Sequence, residues 1–154
     1  MKRLLIALAM VSALAVSATA TTVVLVAGQQ YDAGKVYVSA DQHLLTVEIE
    51  ADNGWVLLET HVYVGTQPPS KSAPGRFPYK HEALGGASSD SDEIVLDDLE
   101  LDCPSTLYIA VHAVVKGEDN EHGTETAWGD GDEIRPGKNW AMYFSTTVYC
   151  GGAK

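Results

Sequence analysis

Beyond the first twenty residues, apolar side chains recur at every second position or gather in short β-branched runs, and Gly, Pro, Asp or Ser ends each run. A period of two is the signature of strands with one face covered, and no stretch of this region carries the 3.6-residue period of a helix. The spacing predicts strands over residues 22–27, 35–39, 44–51, 55–64, 93–96, 106–116 and 140–149. Seven strands of this length must hide their apolar faces, so the expected fold is all-β: a two-sheet antiparallel β-sandwich of jelly-roll type with two long loops. In the fourth strand Val56, Leu58, Thr60, Val62 and Val64 fall on one side, which is read as the core face. In the sixth, Ile109, Val111, Ala113 and Val115 alternate with Tyr108, Ala110, His112 and Val114, so both faces of that strand are at least partly covered.

The amino end obeys different rules. Met1, Lys2 and Arg3 precede an apolar run from Leu4 to Val16 broken only by Ser12, too short to span a bilayer, and Ala18-Thr19-Ala20 supplies small residues where a signal peptidase reads. Residues 1–20 are therefore expected to be a cleaved signal peptide, and 21–154 a single exported domain that begins at Thr21. No later run is long and apolar enough for membrane insertion after cleavage. The chain carries a formal net charge of −11, and loss of Lys2 and Arg3 makes the product more negative still. Such a surface repels nucleic acid and anionic lipid. The two cysteines, Cys103 and Cys150, both fall in the exported part, where oxidation is the default, and are read as one disulfide. On the chain-entropy account, closing that loop stabilises the fold by roughly 4 kcal/mol.

Two connections stand apart. Residues 66–92 contain four prolines with many Ser and Gly, and residues 117–139 are strongly acidic. Long loops in a compact domain are usually functional or disordered, so a site is expected there. Glu59, His61, His81, Glu82 and His112 offer a zinc-competent set, or equally a satisfied hydrogen-bond network beneath a loop. The acidic segments Asp90-Ser91-Asp92-Glu93 and Asp97-Asp98, and above all Asp130, Asp132 and Glu133 beside Gly129 and Gly131, offer oxygen ligands to calcium, the one cofactor expected, or else form solvated acidic loops. Trp128 is a sugar platform or an anchor that pins the loop. The chain has no GxSxG turn and no phosphate-cradling glycine loop, so no catalytic residue is assigned.

Gly54-Trp55-Val56-Leu57-Leu58-Glu59-Thr60-His61, Phe77-Pro78-Tyr79-Lys80-His81-Glu82, Leu107-Tyr108-Ile109-Ala110-Val111-His112-Ala113, Glu125-Thr126-Ala127-Trp128-Gly129 and Asn139-Trp140-Ala141-Met142-Tyr143-Phe144 follow one another along the chain. As a set they resemble a module of exported bacterial and archaeal surface proteins. The resemblance implies that Glu59, His61, His81, Glu82, His112, Glu125 and Trp128 form one spatial cluster that holds the long loops against the sandwich; it implies no chemistry.

The function expected is a non-enzymatic structural or adhesive subunit, secreted to the exterior or cell surface, or held in a periplasm. Its expected partners are copies of itself, joined through a mobile N-terminal strand of Thr21, Thr22, Val23, Val24, Leu25 and Val26. The alternative is a secreted module that binds calcium or surface glycans through the loop around Trp128.

Overall fold

The computed structural model describes residues 18–119 and 122–149. Ten strands follow in order: β1 Thr19–Ala27, β2 Tyr31–Ala40, β3 Leu44–Ala51, β4 Trp55–Gly65, β5 Tyr79–His81, β6 Ser89–Val95, β7 Ser105–Gly117, β8 Thr124–Gly129, β9 Asp132–Glu133 and β10 Met142–Val148. All seven expected strands are present. Three more, β5, β8 and β9, lie inside the two stretches read as long loops. No described helix is long and apolar enough to cross a membrane.

Hydrogen bonding joins the strands into one antiparallel network rather than two separate sheets. The path runs β5-β4-β7-β8-β1-β2-β3-β6, with β10 on β7 and β9 on β10. The sheet curls until its ends nearly meet, where Leu57 of β4 bridges Ala87, just before β6. An almost closed barrel hides its inner face as completely as two stacked sheets would, which is why alternation alone does not separate the two.

Leu25, Val36, Val38, Leu45, Val47, Ile49, Leu107, Ile109, Val111 and Val115 fill the interior, each essentially without solvent exposure. On β4 the phase changes midway. Leu57 pairs with Val115 and Glu59 with Val114, so Leu58 is an extra residue, a β-bulge. The core face of β4 is therefore Trp55 and Leu57 before the bulge and Thr60, Val62 and Val64 after it. This corrects the sequence reading, which put Val56 and Leu58 inside; both are only half-buried. A second bulge sits on β2 at Ala33 and Gly34, between the Val24–Lys35 and Val26–Asp32 pairs. Gly34 has φ +138°, and a Cβ there would stand 1.9 Å from the Glu50 carbonyl oxygen, so only glycine fits.

Strand β1 crosses the expected cleavage point. Thr19 pairs with Ala40 and Ala20 with Ser39, so cutting after Ala20 trims two rungs from the β1–β2 ladder. Most of the expected leader and Cys150, the expected partner of Cys103, lie outside the described residues; no described cysteine is a free thiol.

Candidate functional site

The bulge at Leu58 decides which chemistry stands on which side of β4. Thr60 then faces inward and His61 outward, and each gathers its own set of titratable groups. The register with β5 extends the division: Thr60 lies opposite His81 and His61 opposite Lys80, so the two histidines occupy opposite faces.

On the outer side His61 lies opposite His112 of β7, which in turn lies opposite Trp128 of β8. All three are buried. His61 Nδ1 stands 3.1 Å from His112 Nδ1, and His61 Nε2 stands 3.2 Å from Glu82 Oε1. A carboxylate only accepts, so the His61 Nε2–H donates to Glu82, and one proton between the two Nδ1 atoms completes the His61–His112 bond. The His112 ring meets the Trp128 indole edge-on at 4.9 Å, and the Phe77 ring also meets that indole edge-on, at 6.1 Å. Phe77, Ala110, Trp128 and Ala141 make a second, smaller core over this face, supported by Tyr63, Ile134 and Trp140. Burial, first, and the neighbouring His61, second, push the His112 pKa down to about 3, so the pair is neutral on its His112 side.

The inner set lies at the seam where the barrel nearly closes. Asp90 and Asp92 of β6 lie opposite Ile49 and Val47 of β3, both core residues, so the two carboxylates point into the barrel. His81 Nδ1 donates to Asp90 Oδ2 at 2.7 Å, and Thr60 Oγ1 donates to the same oxygen. The other ring nitrogen, His81 Nε2, is 3.8 Å from Asp92 Oδ1. Asp92 is only 8 % exposed, and its Oδ2 is buried with no hydrogen-bond partner. The bond to Asp90 holds the His81 pKa above the ordinary imidazole value. Desolvation raises the Asp92 pKa; His81 opposes that rise and Asp90 adds to it.

The seven residues expected to cluster are thus distributed. His61, Glu82, His112 and Trp128 come together, and Glu59, half-buried, lies two residues before His61 on the same face. His81 is on the opposite face. Glu125 stands elsewhere: a Cβ built on Gly28 would be 3.0 Å from Glu125 Oε2 and 3.6 Å from the Tyr31 ring. Trp128 is 3 % exposed and presents no face to a sugar. Asp130, Asp132 and Glu133 are exposed, the last two on the short strand β9. Among the described residues, one group of three places its potential ligand atoms within 4.8 Å of one another, and it is His81, Asp90 and Asp92 rather than this acidic trio. The sequence offers Asp90 and Asp92 as oxygen ligands to calcium but does not join them to a histidine, because the expected strand begins at Glu93. Their signal was the period-two series Asp90, Asp92, Ile94 leading into the strand.

No protein-family model, curated protein or solved structure matches the chain.

Proposed function

We propose that the protein acts outside the cytoplasm as a non-catalytic structural or adhesive subunit that joins copies of itself through the edge of β1. The observation that carries this reading is the uneven pairing of that strand. Over its whole length β1 is laddered to β2, but on its other side only Leu25 to Ala27 pair with β8. Residues 19–23 face β10 instead, where Thr19 Oγ1 donates to the Thr147 carbonyl at 2.7 Å and Thr21 Oγ1 meets Thr146 Oγ1 at 2.8 Å. Side-chain hydroxyls close this boundary in place of a backbone ladder. Unladdered backbone on a strand edge is a template for another strand. Cleavage after Ala20 would remove Thr19 and its hydrogen bond to β10, loosening the boundary further. A Cys103–Cys150 disulfide would tie the region after β10 to the start of β7 and keep the rest of the fold closed while β1 exchanges.

The test is negative-stain microscopy of the processed protein beside a variant lacking residues 21–26. Filaments or discrete oligomers from the processed protein, lost in the variant, are expected. A monomeric processed protein, or assemblies that survive the deletion unchanged, would remove β1 from the account.

A second reading, glycan binding, draws on a shallow depression lined by Gln29, Glu133, Lys138 and Asn139 beside the half-buried Trp140 indole. An amphipathic ring flanked by amide and charged groups suits a sugar face. A shift in tryptophan fluorescence on titration with a glycan panel, abolished by Trp140→Ala, is the expected outcome; in this reading calcium would lie against Asp130, Asp132 and Glu133.

A further inference from the structure

We infer that His81, Asp90 and Asp92 form a binding site for one divalent cation of the zinc type, which fastens the nearly closed seam of the barrel. Three observations converge on it. The ligand atoms of the three residues already lie within 4.8 Å of one another, so that small side-chain rotations would bring them onto one ion at bond lengths of about 2 Å. They come from two elements that meet at the seam: His81 ends β5, and both aspartates belong to β6. Above all, Asp92, more than nine-tenths buried, turns its Oδ1 toward His81 Nε2 at 3.8 Å and leaves its Oδ2 without a hydrogen-bond partner. A buried, unpartnered carboxylate oxygen is costly unless something positive satisfies it.

His81 supplies only part of that satisfaction. Its Nδ1 is already engaged by Asp90, and its Nε2 is 3.8 Å from Asp92, beyond hydrogen-bond range. A divalent ion would neutralise both carboxylates at once, which a single imidazolium cannot. The donor chemistry selects the ion class: one imidazole nitrogen with two carboxylates suits zinc and its neighbours in the first transition row, whereas calcium prefers six to eight oxygens. Thr60, donating to Asp90, orients that carboxylate from β4 in the way that outer hydrogen bonds commonly hold a ligand in place. An ion here would tie β5 and β6 together across a boundary already crossed by the His81–Asp90 and Thr60–Asp90 hydrogen bonds and the Leu57–Ala87 bridge. The site is independent of how copies of the chain associate, since β1 lies in the middle of the sheet path and β5 and β6 at its two ends.

The test uses the processed protein, expressed without a metal-binding tag and stripped with chelator. Titration with zinc chloride should show one saturable site, and zinc should raise the melting temperature by about 5 °C, an effect that chelator reverses. Asp92→Asn should weaken zinc binding at least 100-fold while leaving the metal-free protein folded. Should that variant not fold, cobalt supplies the second readout: the wild-type protein should develop the visible absorption of low-coordinate cobalt bound through nitrogen and oxygen, and zinc should erase it. Failure of the wild-type protein to bind zinc, saturation by calcium in preference to zinc, or zinc affinity unchanged by both Asp92→Asn and His81→Gln would each overturn the assignment.

Discussion

The two faces of β4 around Thr60 and His61 bury similar chemistry and treat it differently. On the outer face both nitrogens of His61 are occupied, one by His112 and one by Glu82, and aromatic rings seal the pair. On the inner face a similar combination of histidine and carboxylate is left incomplete, with one buried Asp92 oxygen unpartnered. A saturated buried network rigidifies and needs nothing further, while an unsaturated one is a demand for a ligand. The contrast separates scaffold from site in this molecule better than residue type does, since histidines and acids stand on both sides.

The largest expected effect tests the sealed side. Trp128→Ala should cost about 3–5 kcal/mol in chemical denaturation, because the buried indole packs against both His112 and Phe77 in the outer core. A loss below 1 kcal/mol would mean that the outer face is not a packed core.

Next comes acid. The folded pKa of His112, about 3, lies below the ordinary value of 6.5. Between those two pH values the unfolded chain takes up a proton that the folded chain refuses, so stability falls as pH drops from 6.5 toward 3, by roughly 1 kcal/mol per pH unit from this group. His61 and Glu82 are the titratable groups that face it through the same network. His112→Gln keeps a hydrogen-bonding side chain and removes the titration. The slope of stability against pH below 6.5 should flatten in that variant, and an unchanged slope would assign the acid sensitivity elsewhere.

The inner side should respond in the opposite sense. Desolvation places the Asp92 pKa above its unfolded value, so its contribution is favourable at low pH, where it is protonated in both states, and is lost as pH rises through the folded pKa. In metal-free protein at neutral pH, Asp92→Asn should therefore raise stability by about 1 kcal/mol. A clear destabilisation would show that Asp92 is already satisfied. The smallest effect belongs to Asp132→Asn on the exposed β9, expected within about 0.5 kcal/mol in denaturation and without influence on zinc titration.

Much of this contrast was written in the sequence, and some of it was hidden for identifiable reasons. Alternation located β3 to the residue and placed His61 and His112 on the less aliphatic faces of their strands, because period two survives wherever one face is buried. It failed across the bulge: an extra residue at Leu58 reverses the alternation, and nothing in Trp55-Val56-Leu57-Leu58-Glu59 distinguishes a strand with an insertion from one without. Strand β8 reads as loop in the sequence because Thr124 to Gly129 is short, begins with polar and acidic residues and ends in glycine. Strand β6 looks shorter in the sequence than it is because aspartates have low strand propensity, yet Asp90 and Asp92 occupy inward positions. That same local conflict marks the candidate metal site, since a carboxylate facing a core is tolerated only when something nearby answers it. Closure into one curled sheet was illegible, as it depends on the meeting of β4 and β6, distant partners that no local pattern encodes.

Imidazole nitrogen and proton NMR of the metal-free processed protein, followed from pH 8 down to pH 4 and then repeated with zinc, reads both faces in one experiment. His112 should stay neutral throughout, His81 should keep its proton to a higher pH than an ordinary histidine, and zinc should shift His81 while leaving His61 and His112 in place. A His112 signal that titrates near 6.5, or zinc shifts centred on His61 and His112, would contradict the division of chemistry across β4.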